Sequence, residues 1–462
     1  MKVNLSVKYI LVVTISTICT WGCVSPSPAA ERSSSQTNID NEGKLKTINA
    51  AKFIDRKLAD CGLQKAIDAS AVQGGGIVKI PAGTFALRRG LVLKNNVQLV
   101  GAGMDKTILT PALKVLRLDV AKASPQDKKI YLKEIPAELG VGSAVSMAHK
   151  FPYAYGPPYS PGYVTEVDRK AVTISVEAPY PTRPLTAGAG VLTFGVEMAL
   201  EKSIKKGDTE IVLKNASQIQ AGDELTLGNP DNESMLKHIF VKAVKGNTLT
   251  LEEPARVDFE AWPAADKLGD YGTENVPVWA LFPMVHGANV TNAAVRNLTV
   301  LGHGFDTIRP FISSYTLSGV HFFNAVRVKI ERVAVRDWPA DGISLQGGDR
   351  SLVADCEVTG ILHNGFHPGT GLTNTTFERN LSQHNDSGLY FCWNNNGLIL
   401  RHNKFIDNAY GGITGLGCPG DRNNTIEDNQ ISRNGGPGIE INGEKNPVIS
   451  SVIIPSRIIL AA

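Results

Sequence analysis

Five short strings in the C-terminal half of the chain align on a glycine: "DGISL", "NGFHP", "SGLYF", "GGITG" and "PGIEI". Their glycines are Gly342, Gly365, Gly388, Gly412 and Gly438, at intervals of 23, 23, 24 and 26 residues. A period near 23 kept over five turns is the signature of a coiled solenoid, in which each repeat is one coil stacked on the last. A solenoid grows by adding coils, so 462 residues need not divide into several ordinary cores. Strands alternate their side chains, and stacked coils repeat about every 4.8 Å. The residue after each glycine, Ile343, Phe366, Leu389, Ile413 and Ile439, is the core column. The next position, Ser344, His367, Tyr390, Thr414 and Glu440, therefore points outward. Asn380, Asn403 and Asn429 fall eight or nine residues before a repeat glycine. They suit a ladder of stacked amides at an internal turn.

The 45 glycines suit a turn-rich β protein, and the net charge of +3 gives no concentrated basic face for nucleic acid. Lys2 and Lys8 precede a short apolar run, "YILVVTISTICT", that is too brief to span a bilayer. It ends at "TWGC", which resembles a bacterial lipoprotein signal with Cys23 as the lipidated residue, although Thr20 stands where Leu is preferred. Residues 1–23 are read as a signal and 24–50 as a flexible tether. The alternative is an ordinary secretory signal cleaved near "SPAA". The expectation is an exported monomer, periplasmic or at the cell surface, touching the membrane only through a lipid anchor. Cys61, Cys356, Cys392 and Cys418 have no metal-ligand spacing and read as buried small apolar filler.

Leu63, Ile67 and Ala71 have helical spacing and precede a glycine run. "GGGIVKIPAGTF" and "VQLVGAG" follow. This opening resembles the pectate-lyase superfamily, whose members are right-handed parallel β-helices with a helix capping the first coil. The likeness covers residues 51–115 and 286–446, and "GFHPGTG" and "GLYFCW" are similar to strings in a set of bacterial β-helix proteins. The fold class expected is all-β: a right-handed parallel β-helix with an N-terminal capping helix and small inserted antiparallel β modules. Residues 51–115 carry the cap and first coils, 116–275 two inserted modules, 276–446 the main helix, and 447–462 a tail that reads as truncated. The modules could bind substrate or cover one face.

Residues 363–393 hold His363, His367, His384, Tyr390 and Trp393, and thus three of the nine histidines. His367 and Tyr390 are predicted neighbours on one outer sheet, with Trp393 just past the strand end and His363 and His384 on turns leading into it. An exposed Trp suits a stacked sugar ring. The superfamily resemblance implies a polysaccharide substrate. Uronan lyases need a base at C5, an acid for the 4-oxygen and a positive charge on the carboxylate. His367 and Tyr390 would be base and acid, in either order. Arg401, Lys404 or a bound Ca²⁺ would neutralise the carboxylate. Trp393, His363 and His384 would bind substrate.

Two related chemistries fit less well. Mannuronan epimerases carry a signature similar to "YGFDPH", where this chain has "NGFHPG", so that Asn364, His367 and Gly369 replace the three characteristic residues. Polygalacturonase-type hydrolases need paired carboxylates. Asp341 in "ADGIS" resembles one, but the expected second pair reads "HNGF", and the "GHG" around His303 lies upstream, in the wrong order. Asp337, Asp341, Asp355 and Glu357 read as a weak carboxylate or Ca²⁺ set, or as solvated turns and a stacked ladder. A non-catalytic glycan-binding protein of the cell surface is the third reading.

Overall fold

The structure is a computed structural model that describes residues 45–441 apart from 114, 125–128, 150–159, 178–189, 228–236, 259–277 and 303–314. Cys23, the tether up to residue 44, His303 and the tail expected at 447–462 lie outside the described residues. The described chain is nearly all β, a parallel β-helix with one α-helix and an antiparallel insertion.

Helix α1 (Leu63–Val72) buries Leu63, Ala66, Ile67 and Ser70, one face of a 3.6-residue period, against strands Thr47–Asn49 and Gly76–Lys79 of the first coil. Gly62 starts it at φ +77°, where an added Cβ would sit 2.0 Å from the Phe53 carbonyl oxygen.

One face of the solenoid is an eight-stranded parallel sheet. Its strands are β1 (Leu91–Val92), β2 (Val285–Ala288), β3 (Val320–Val326), β4 (Ile343–Asp349), β5 (Asn364–Pro368), β6 (Ser387–Tyr390), β7 (Gly411–Leu416) and β8 (Ile439–Ile441). The fifteen-stranded sheet supplies the rest of each coil, as pairs of short strands such as Thr376–Glu378 and Leu381–Gln383. Between the members of a pair the chain turns through a left-handed residue: Asn297, Arg332, Asp355, Arg379, His402 and Asp428 all have φ between 50° and 57°. A second such corner, at His384, Asp407 and Arg433, precedes β6, β7 and β8.

The glycine repeat has a steric cause. A Cβ on Gly342, Gly365, Gly388 or Gly412 would lie 2.4–2.7 Å from the carbonyl oxygen of the next repeat glycine. No side chain fits between backbones stacked this closely. The core column Ile343, Phe366, Leu389 and Ile413 pairs in register and is at most 1% exposed.

The asparagine ladder is present. Asn380 Nδ2 donates to Asn403 Oδ1 (3.0 Å), and Asn403 Nδ2 donates to Asn429 Oδ1 (2.9 Å). The same oxygens accept the backbone N–H of Asn380 and Asn403. A second ladder, Asn385, Asn408 and Asn434, runs behind the other corner. In both ladders the asparagine directly follows the left-handed residue.

The ten strands between 116 and 251 join Val278–Trp279 in one antiparallel sheet of eleven strands, whose two halves are linked by Val278–Trp279 pairing with both Gly190–Met198 and Glu224–Leu227. The first half keeps its own core around Val120, Ile130 and Val176. The second half, with Leu213, Leu225 and Leu249, shares the core of the solenoid. It is clamped to the first coil. Arg88 makes two bonds of 2.6 Å to the Asp223 carboxylate, and Gly90 N–H donates to Glu224 Oε2 at 2.9 Å.

Candidate active site

The outward column of the eight-stranded sheet reads His286, His321, Ser344, His367, Tyr390 and Thr414 from β2 to β7. The predicted neighbours do meet: the rings of His367 and Tyr390 stand edge to face with centroids 5.3 Å apart. Tyr315, on a short 3₁₀ turn, packs on the same column, 6.0 Å from His367 and 6.2 Å from His321. The column is not the open outer surface that alternation implied. His321 is 8% exposed, Ser344 0% and His367 5%.

The centre of the site is Asp341, which is wholly buried. It was legible only as a weak carboxylate or a solvated turn. Its Oδ2 takes the Nδ1 proton of His367 at 2.6 Å, and its Oδ1 takes that of His363 at 2.6 Å. Asn364 adds its backbone N–H and its amide to Oδ1, each at 3.1 Å. Burial alone would raise the Asp341 pKa, but the charges and hydrogen bonds of His367 and His363 hold it far below the usual carboxylate range. Burial alone would lower His367, but Asp341 outweighs it and lifts the imidazole to about 10. At neutral pH this is an ion pair, and His367 is a cation rather than a base. Burial pushes the Tyr390 phenol up to about 12, so it is a neutral donor.

The other histidines of the column behave oppositely. Burial lowers His286 to about 4 and His321 to about 3. Both stay neutral, and His286 Nε2 and His321 Nδ1 have no hydrogen-bond partner among the described residues. His367 Nε2 is a third such nitrogen. Glu224 of the insertion, bonded to His238 Nδ1 at 2.8 Å, lies near enough to His286 to act on it electrostatically. The clamped half of the insertion thus sits at the first-coil end of this column.

Two residues that sequence reasoning missed complete the site. Asp386 lies on the coil beyond His363, and burial raises its carboxyl above the usual value. Cys392 is not buried filler but half-buried beside His367, with its thiol 3.2 Å from Thr370 Oγ1. Burial would raise that thiol, yet the charge of the nearby His367 imidazolium and the Thr370 hydroxyl bring it below the ordinary value. The position could have been read from the repeat, because Cys392 is two residues past Tyr390 and therefore outward.

Other expected members stand elsewhere. Arg401 and Lys404 are in the fifteen-stranded sheet, on a different face from His367. Arg401 is bound to Glu378 at 2.6 Å and 2.9 Å, and Lys404 is exposed. Neither is brought to the site. His384 occupies a left-handed corner, exposed, with its charge acting on Asp407. Trp393 is just past β6 and 55% exposed. Asp355 pairs with Arg379 at 2.8 Å and Glu357 with Arg336 at 3.4 Å. With Asp341 committed to two histidines, these carboxylates do not gather, and among the described residues no group of three or more His, Cys, Asp or Glu could hold a metal ion. At Gly369, where the epimerase signature has His, a Cβ would fall 1.7 Å from Gln346 Oε1. The gap is filled by Gln346, which donates to Ser344 Oγ at 2.9 Å.

Residues 318–456 match the right handed beta helix region family, and residues 58–144 match the family described as rhamnogalacturonase A/epimerase, pectate lyase-like. No curated protein matches the sequence. Among solved structures, the chain is similar to the A-module of mannuronan C-5 epimerase AlgE4 from Azotobacter vinelandii, at 16% identity over 85% of this chain and 73% of that one (TM-score 0.39). It is also similar to a family 28 exopolygalacturonase of Yersinia enterocolitica, at 12% identity over 88% and 68% (TM-score 0.32). The tailspike gp61 of Pseudomonas phage phi297 matches at 10% identity over 86% and 67% (TM-score 0.25).

Proposed function

We propose that this chain, a right-handed β-helix protein of the pectate-lyase superfamily, cleaves a uronic-acid-containing polysaccharide by β-elimination. One observation carries the reading: a single buried carboxylate, Asp341, orients two imidazoles beside a neutral phenol. That set supplies the three parts of the reaction. The role of neutralising a substrate carboxylate is given to the charge of the His367 cation in place of Arg401 and Lys404. His363, the more open of the two histidines at 23% side-chain exposure against 7%, is oriented through Nδ1 and acts as the base at C5. Tyr390 donates its proton to the departing 4-oxygen. The C5–H electrons become the C4=C5 double bond as the C4–O bond breaks. Trp393 offers a face for a sugar ring.

The polygalacturonase-like reading is weaker here. A hydrolase must present two carboxyl groups to substrate and water. Asp341 is 0% exposed and its oxygens are taken, which leaves Asp386 as the carboxyl acting on His363. The test is ultraviolet absorbance of the unsaturated product during incubation with a panel of uronic-acid polysaccharides. A rising signal in the native protein, lost in His363→Gln and Tyr390→Phe, is expected. New reducing ends without that absorbance would replace the lyase by a hydrolase. Binding without either product would make it a glycan-binding protein.

The proposal includes export and a lipid anchor on Cys23, supported by the basic and then apolar residues that precede it. Incorporation of labelled fatty acid in the native protein, absent from Cys23→Ala, is the expected result.

A further inference from the structure

The mechanism above draws only on the charge of His367, and leaves unassigned the Cys392 thiol and any hydrogen bond of the second His367 nitrogen. They belong together. Asp341 holds His367 by Nδ1, so Nε2 is on the opposite edge of the ring. That nitrogen is buried and has no hydrogen-bond partner among the described residues. Cys392 N–H donates to the carbonyl of Pro368, the residue after His367, at 3.1 Å, which brings Cys392 on the next coil close enough for the imidazole and the thiol to act on each other. Thr370 Oγ1 reaches the sulfur at 3.2 Å from the other side. A carboxylate orienting an imidazole that serves a nucleophile is the general plan of an activated thiol.

We propose that Cys392 is a nucleophilic modification site, a thiolate paired with His367, for soft electrophiles of the alkyl halide and hydroperoxide classes. With an alkyl halide, an S–C bond forms as the carbon–halogen bond breaks and halide leaves. With a hydroperoxide, an S–O bond forms as the O–O bond breaks. Sulfur is then oxidised to the sulfenic acid, and the departing alkoxide takes the proton of His367. An adduct there stands against His367 and Tyr390. The proposal rests on no assumption about the glycan chemistry.

The protein carries its own controls. Cys61 and Cys356 are buried with thiols raised by burial, and Cys418 on the next coil is raised to about 11, also by burial. The titratable groups around Cys392 are His367 and, beyond it, Asp341, His363 and His321, then Tyr390 at the end of β6 two residues before it and Cys418 on the next coil.

The experiment is limiting iodoacetamide on the folded full chain across a pH series, with adducts at each cysteine quantified by peptide mass spectrometry. Near pH 6.5, Cys392 should react at least about tenfold faster than Cys418, one unit of thiol pKa being about tenfold in thiolate. His367→Gln and Thr370→Val should each slow Cys392 without changing Cys418. Trapping of a sulfenic acid at Cys392 after hydrogen peroxide should follow the same order. A Cys392 rate that rises only through the ordinary thiol range, about 8.5, would overturn the proposal. So would a rate unchanged in both variants, or a peroxide-treated protein without the trapped adduct.

Discussion

Two polar columns run along this solenoid, and they are finished differently. The ladder Asn380, Asn403 and Asn429 hands every amide to its neighbour or to a backbone carbonyl, and none of its buried atoms is left over. In the column His286, His321 and His367 the last two are buried and the first half-buried, yet each ring leaves one buried nitrogen without a hydrogen-bond partner among the described residues. A buried polar atom left unpaired costs stability. The ladder is built for the fold, and the histidine column is built at some expense to it. That contrast is what locates the site, more than the presence of histidines.

The contrast can be broken from either side. The largest effect is expected at Asp341→Ala. Removing the shared anion strands a buried imidazolium, and breaking such a pair costs roughly 3–5 kcal/mol. Denaturant unfolding should show the loss, and any cleavage activity should vanish. Next comes Asn403→Ala in the ladder, which orphans donors on Asn380 and an acceptor on Phe377. It should cost about 1–3 kcal/mol and leave the site chemistry unchanged. His321→Leu should move stability the other way or not at all, because it removes an unpaired polar atom of similar depth. A loss at His321 equal to that at Asn403 would end the comparison.

Titration sharpens it further. His367 is raised in the folded state, so its contribution is whole below about pH 6.5 and fades toward about 10. His286 and His321 are depressed, so their contribution is present above about 6.5 and fades as pH falls through about 4 and 3. Asp341, also depressed, adds to that acid loss below about pH 4. Melting temperature should therefore peak near pH 6.5. His367→Gln should flatten the alkaline arm, and His321→Leu should flatten part of the acid arm. The smallest effect is expected at Trp393→Ala, which should weaken glycan binding with no measurable change in melting.

The period carried most of what could be read from residues alone. It put His367 beside Tyr390 and stacked the asparagines, because both follow from counting coils. Depth was not legible. Alternation says that His367 and Cys392 point out of the core, but not that Tyr315 will pack over the column. Nor did it show that Asp341 would be sealed between two imidazoles. Arg401 and Lys404 could be placed on the next coil but not on a face of it, because position along a coil depends on where the left-handed corners fall. His402 and Asp407, which turn the chain there, carry no glycine to announce it.

The same corners bear on how the molecule avoids misassembly. Rungs this alike invite a chain to close one coil too early or too late. At the first corner, consecutive rungs read Arg332, Asp355 and Arg379, and Asp355 binds Arg379 through two oxygens. At the second, Asp407 binds Arg433 in the same way. Sliding by one coil would set Arg332 against Arg379 and leave Asp355 without its partner. Charge of alternating sign at the corners therefore works as a counter, and it penalises the miscounted stack before the core can accept it.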